Sequence, residues 1–522
     1  MNTTPRRSIP QRVKATARRW WRQLTSMRTA LVLLFGLAVA AVPGSLLPQR
    51  NLSVDQVNTY FSENPDLAPV LDRLWAFDVY SSPWFAAIYL LLFTSLVGCL
   101  VPRFRDHVKA LRRRPPDAPA RMSLLPQHRE LTDAPDREQV VAVLRRNRFR
   151  VTVREREDGV VTVSAEKGYA REAGNLLFHF SLLALLAGMA FGSLFGWHGN
   201  RLLVEGEEGA FCNSLQQYDQ YGLGPNIGSE DLPPFCMQLD RFTTNFLDNG
   251  QPTQYTADVR YGQNGQAPSD EYRLEVNHPL ELDGASVFLL GHGYAAEIEF
   301  TDKYGNKQTT IAPFLGEDGV LTSTGAAVFP DANINPDTGK PDKNSQIAFE
   351  GLFIPSVPDQ PPYTNSTSPK AEKPGLMLSA FIGDTGLDSG KPQSVYSVDK
   401  DQIASGALKP VNADPKLLTK GETWELDDGM SVTFKGVRDY ATLEVRHDPG
   451  EMVVLAAAVA VLIGLLPALT VRRRRIWVRL NDGTAEAGGL ARTEYDGFAE
   501  EFEKLASAIE TNSRQPQEMG MR

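Results

Sequence analysis

Four stretches of this 522-residue chain are long and apolar enough to cross a bilayer, at 29–47, 83–101, 173–196 and 452–471. About 20 residues at 1.5 Å each span the hydrocarbon core. Lipid offers no partner to a backbone N–H or C=O, so each stretch must satisfy its own as a helix. A buried helix of a soluble protein is the alternative, but such helices seldom run this far without a charge. The first stretch also reads as a retained helix rather than a removed leader. The basic region before it is 28 residues long, and Trp20 and Trp21 suit a headgroup anchor.

Charge sets the direction of the four spans. Residues 1–28 carry eight Lys/Arg and no acid, 102–172 carry 17 basic against 11 acidic, and four arginines occupy 472–475. The intervening segments are acidic: two basic against five at 48–82, and 18 against 37 at 197–449. Basic loops stay on the cytoplasmic side. The pattern therefore predicts a multi-pass protein of the plasma (cytoplasmic) membrane with both termini cytoplasmic and its large acidic region extracytoplasmic. The net charge of −9 sums over two faces, and no basic surface for nucleic acid emerges from it. Membrane lipid is the expected non-protein partner.

The expected fold class is an integral membrane protein with four transmembrane helices, a large extracytoplasmic mainly-β, sandwich-like domain and a small cytoplasmic α+β segment. The expected domains are a basic N-terminus at 1–28, an outer loop at 48–82, a cytoplasmic segment at 102–172, an outer β-rich domain at 197–451 and a cytoplasmic tail at 472–522, separated by the spans. In the outer domain, 255–261, 272–276, 286–290, 295–301 and 430–434 read as strands, whereas 313–418 read as long loops with short strands. Inside, 136–146 reads as a helix, followed by a hairpin turning at Asp158-Gly159. Phe498, Phe502, Leu505 and Ile509 make 494–509 an amphipathic helix, most simply a packing or solvated one. The last dozen residues read as disordered.

Cys212 and Cys236 both fall in the outer region. An oxidising compartment favours a disulfide between them, with two free buried thiols as the alternative. No Walker A, H-E-x-x-H, G-x-S-x-G or C-x-x-C-H pattern occurs. One residue stands out: His179 lies inside the third span, about 9 Å from its cytoplasmic edge. Ionisable side chains in spans are costly and face a bundle interior, a cavity or a ligand. A neutral imidazole can ligate iron, or it can hydrogen-bond between helices, with Ser181 or Asn175. Cys99, near the inner end of the second span, reads as a small buried hydrophobe, with a haem-contacting thiolate as the minor alternative. His198, His278, His292 and His447 lack metal-ligand spacing. His292, in Leu290-Gly291-His292-Gly293-Tyr294, reads as a structural residue at a tight turn or close backbone approach.

Five stretches together resemble the ResB family of System II cytochrome c biogenesis proteins: LTSMRTALVLLFGLAVAAVPGSLLPQR at 24–50, FDVYSSPWFAAIYLLLFTSLVGCLVPR at 77–103, GYAREAGNLLFHFSLLALLAGMAFG at 168–192, NHPLELDGASVFLLGHGYA at 277–295 and RRRRIWVRL at 472–480. The resemblance implies a subunit of a membrane complex that takes haem b to the outer face and delivers it to apocytochrome c, in partnership with a ResC/CcsA-type protein. The tryptophan-rich motif of that partner is absent here, which implies a non-catalytic role within a cytochrome c synthase-type complex. By motif, His179 matches an intramembrane histidine linked to haem ligation, with the second axial ligand supplied by the partner. A rival of another class is an envelope sensor or scaffold with an outer ligand-binding domain. Such a sensor needs an inner output module, and 102–172 and 472–522 resemble none.

Overall fold

The computed structural model describes residues 9–52, 54–132, 135–157, 159–206, 209–247, 251–334, 336–337, 339, 342–387, 396–411, 414–481, 483–492, 495 and 497–513. Asp158 of the expected hairpin turn and most of the expected disordered tail lie outside them. The chain divides into two compact units. One comprises Met1–Leu47, Leu74–Phe191 and Gly450–Arg522, and the other Pro48–Arg73 and Gly192–Pro449.

Among the described residues, four helices are long and apolar enough to cross a membrane: Met27–Leu46, Pro83–Arg112, Ala170–Phe195 and Glu451–Thr470. Ser26 caps the first through its hydroxyl, and Ser82 caps the second with Pro83 at its first position. The second helix runs on to Arg112 rather than stopping near 101. The added residues are mostly helix formers, and Lys109 and Arg112 in its last turn complement the helix dipole. The third and fourth helices approach closely at glycines. A Cβ on Gly174 would lie 2.6 Å from the Gly464 carbonyl oxygen, and one on Gly464 2.6 Å from the Phe178 nitrogen. Phe104 of the second helix meets Phe180 of the third edge-on, with centroids 5.7 Å apart.

A five-stranded antiparallel sheet completes the first unit, in the order Gln127–Leu131, Thr484–Ala491, Arg474–Asn481, Val161–Lys167, Arg150–Glu155. The α+β segment expected within 102–172 thus shares its sheet with two strands from the C-terminal region. Helices Arg137–Arg146 and Gly497–Ser513 cover the sheet. They bury Val140, Leu144, Phe502, Leu505 and Ile509 against Val163, Ile476 and Val478. The amphipathic C-terminal stretch is therefore a packing helix. Beside this core, Glu166 is 2% exposed. It accepts hydrogen bonds from Tyr169 (2.5 Å), Arg473 (2.7 Å) and Arg475 (2.9 Å). Burial pushes its pKa up, but these donors outweigh burial and hold the carboxyl below its ordinary range. Arg473 and Arg492 both reach Glu172 at 2.7 Å.

The second unit is mainly β. Its larger sheet has twelve strands, and the smaller has four, Phe211–Cys212, Phe235–Phe246, Pro252–Gln263 and Asp270–Glu275. The two sheets share a core that includes Phe235, Met237 and Leu239 on one side and Val287, Leu443 and Val445 on the other. The larger sheet closes over a second core around Phe300, Phe314, Phe349, Phe353 and Phe434. The arrangement is sandwich-like, but several elements differ from expectation. The stretches read as separate strands at 286–290 and 295–301 form one 17-residue strand, Ala285–Thr301, with a bulge between Leu289 and Gly291. The region read as long loops with short strands holds the regular strands Ser323–Phe329, Ile347–Ile354 and Gly375–Gly383. The leading part, 48–73, forms helices Val54–Glu63 and Ala68–Arg73, with Arg50 paired to Asp72 at 2.6 Å.

Cys212 and Cys236 face each other on paired strands and are joined by a disulfide, while Cys99 is free. In the same unit, burial and then the neighbouring charge of Glu205 push the Asp439 carboxyl up to about 6.

Stability and thiol chemistry can each be tested. Denatured, unreduced protein should label with one maleimide at Cys99, and three should label after reduction. Cys212→Ala/Cys236→Ala should lower stability by about 2–4 kcal/mol. Glu166→Ala leaves two arginines without their buried carboxylate and should cost about 3 kcal/mol in thermal unfolding. Asp439 holds its proton more tightly folded than unfolded, so its contribution falls as pH rises from about 4 to 6 and stays lost above. Asp439→Asn should therefore raise Tm at pH 7.5 and leave it unchanged near pH 4.

Candidate functional site

The third apolar helix owes its form to a run of Leu, Phe and Ala with no charge after Glu172. Small residues on it, Gly174, Ser181 and Gly188, are buried, whereas His179 is half-buried. Imidazole Nδ1 lies 2.7 Å from the carbonyl oxygen of Asn175, one turn back. A carbonyl oxygen only accepts, so Nδ1–H is the donor, and Nε2 is the ring nitrogen not engaged by this bond. The Phe178 ring stands edge-on to the imidazole at 5.1 Å. Ser181 donates to its own helix, to the Leu177 carbonyl at 2.8 Å. The interhelical hydrogen bonds considered for His179 are thus replaced by bonds within the helix. On another face of the same helix, Phe180, Ser181 and Ala184 line an apolar groove of about 500 Å³ with Met452, Val453, Ala456, Ala457 and Ala460 of the fourth helix.

Cys99 is half-buried on the second helix, and its S–H donates to the Leu96 carbonyl at 3.2 Å. Among the described residues no three His, Cys, Asp or Glu side chains are arranged to hold a metal ion. His179 therefore offers one ligand position rather than a closed metal site.

In the β-rich unit, three histidines are tied to backbone carbonyls: His198 to Asn51 (3.4 Å), His278 to Val276 (3.3 Å) and His447 to Gly284 (2.5 Å). His292 differs. It lies within the long strand Ala285–Thr301, not at a turn, just past the bulge. Rings of Tyr255, Phe242 and Phe246 surround it at centroid distances of 4.9, 5.1 and 6.3 Å. Both ring nitrogens are sealed from solvent and lack a hydrogen-bond partner. Burial lowers its pKa to about 4, so the ring is neutral at physiological pH. The two flanking glycines disguise this position as a turn. The signal that could have revealed the strand is the alternation of Ala285, Val287 and Leu289 leading into it.

Residues 27–503 match the family model described as the ResB-like family. Relatives extend over nearly the whole chain. A protein of Synechococcus sp. (strain CC9605) named cytochrome c biogenesis protein CcsB is 26% identical, covering 93% of this chain and 95% of its own length. Proteins of the same name from Synechococcus sp. (strain JA-3-3Ab) and Gloeobacter violaceus are 27% and 21% identical, covering 92% and 94% of this chain and 88% and 90% of their own lengths. The match over nearly the full length, together with four apolar helices and a large β-rich unit, places the chain in the ResB-like family.

Proposed function

We propose that the chain is a non-catalytic membrane subunit of a System II cytochrome c maturation complex, one that carries haem b toward the outer face and delivers it to apocytochrome c beside a ResC/CcsA-type partner. The relatives named for cytochrome c biogenesis supply the process. The observation that carries the haem role is the His179 hydrogen bond, since an Nδ1–H that donates to the Asn175 carbonyl orients the ring and makes Nε2 the nitrogen that would bind iron. Apolar and aromatic neighbours suit a porphyrin face, and a single histidine leaves the opposite axial position to a ligand from the partner. Cys99, with its S–H bonded to a carbonyl, serves packing in this reading rather than iron. The charge asymmetry of the loops supports cytoplasmic termini and the β-rich unit outside. Haem is cargo here, bound and released, and the chain's part is to position iron without reacting.

The test is to purify the chain with its ResC/CcsA-type partner and record the haem spectrum. Wild type should carry haem with a histidine-ligated Soret band, and His179→Ala should lose most of it. Added imidazole should partly restore the band. Haem unchanged in amount and spectrum in His179→Ala would overturn the assignment.

A further inference from the structure

The helix Ile9–Leu24 leads into the first apolar helix and carries two unlike sides. Ala17, Trp20, Trp21 and Leu24 recur at i, i+3, i+4 and i+7, so they share one side. Lys14, Arg18 and Arg22 follow at intervals of four on another side, with Arg19 beside them. All four cations are exposed, and residues 1–28 hold no acid to neutralise them. Trp20 is 69% exposed and Trp21 54%. Two neighbouring indoles left open next to a row of cations mark an interaction surface. The apolar helices fix where that surface lies. Ser26, extended at φ −88° and ψ 148°, separates this helix from Met27–Leu46. The Ser95 hydroxyl of the second apolar helix donates to the Leu24 carbonyl at 2.6 Å. A Cβ on Gly98 would lie 2.1 Å from Thr25 Cγ2 and 3.5 Å from the Trp21 ring. The corner is thus seated on the second apolar helix, just ahead of its basic end at Arg103, Arg105, Lys109 and Arg112.

We propose that Ile9–Leu24 lies in the plane of the membrane surface and binds anionic phospholipid headgroups. Trp20 and Trp21 enter the boundary of the acyl chains, and Lys14, Arg18, Arg19 and Arg22 meet the lipid phosphates. A helix with one apolar, aromatic side and one basic side takes this position. Guanidinium groups match phosphate oxygens in paired hydrogen bonds, and an anionic surface attracts each nearby cation. Lipid rather than a protein partner is the occupant, because a helix tied to the end of a span stays beside the bilayer surface. At that depth the long basic side chains reach the headgroups while the indoles stay in the apolar layer. Neither contact depends on haem.

The experiment places the full chain in nanodiscs of phosphatidylcholine, alone or mixed with phosphatidylglycerol, and follows amide hydrogen exchange over residues 14–24. Exchange should be severalfold slower with phosphatidylglycerol, and high salt should remove the difference. Arg18→Gln/Arg19→Gln/Arg22→Gln should lose the dependence on phosphatidylglycerol, whereas Arg18→Lys/Arg19→Lys/Arg22→Lys should keep most of it. Trp20→Ala should speed exchange in both lipids, since the indole serves the apolar side. Unchanged exchange in the five-stranded sheet reports intact folding in every variant. Equal exchange over 14–24 in the two lipids would overturn the proposal. So would a phosphatidylglycerol effect that the glutamine variant retains, which would place the lipid contact elsewhere on the chain.

Discussion

The contact on which most of the architecture depends is the close approach of the third and fourth apolar helices at Gly174 and Gly464. Helices in lipid gain little from the hydrophobic effect and associate where small residues let backbones meet. The chain entering and leaving this helix pair forms an antiparallel strand pair in each unit. In one, Val161–Lys167 pairs with Arg474–Asn481, and in the other, Trp197–Val204 pairs with Ser431–His447. Gly168, at a φ of +100°, makes the turn into the third helix and passes 2.2 Å (as a Cβ would measure it) from the Arg472 carbonyl oxygen. No other residue type fits such a crossing. Two segments far apart in sequence, paired from Lys167 with Arg474 to Val161 with Leu480, are thereby held in one register.

Much of this was written openly in the sequence, and the rest was hidden for identifiable reasons. The four apolar helices follow from length and composition, because lipid leaves the backbone a single solution. The Thr484–Ala491 strand of the five-stranded sheet was not legible, since it reads TAEAGGLA, poor in β-branched and aromatic residues. Tertiary partners make it a strand. The long strand Ala285–Thr301 was obscured by Gly291 and Gly293, which imitate a turn at short range. His179 was conspicuous as an ionisable residue among Leu and Phe. Its tautomer, set by a carbonyl one turn away, needed coordinates. The Glu166 cluster joins residues 307 apart, beyond any local pattern.

The two histidines sit in contrasting surroundings. At His179 a hydrogen bond from Nδ1–H to the Asn175 carbonyl orients the ring along its own helix. At His292 desolvation keeps the ring neutral, and aromatic edges take the place of a polar partner.

The shared sheet also governs the order of events during synthesis. Glu166 is made long before the arginines that neutralise it, 307 residues ahead of Arg473. At about 5–20 residues per second, translation leaves that carboxylate and its strand unpartnered for roughly 15–60 seconds. Meanwhile Val161–Lys167 presents an open edge on the side that Arg474–Asn481 later occupies. The five-stranded sheet therefore closes only after the whole β-rich unit and the fourth helix have been synthesised. Its completion acts as a record that the polypeptide between its halves has been made through to the end.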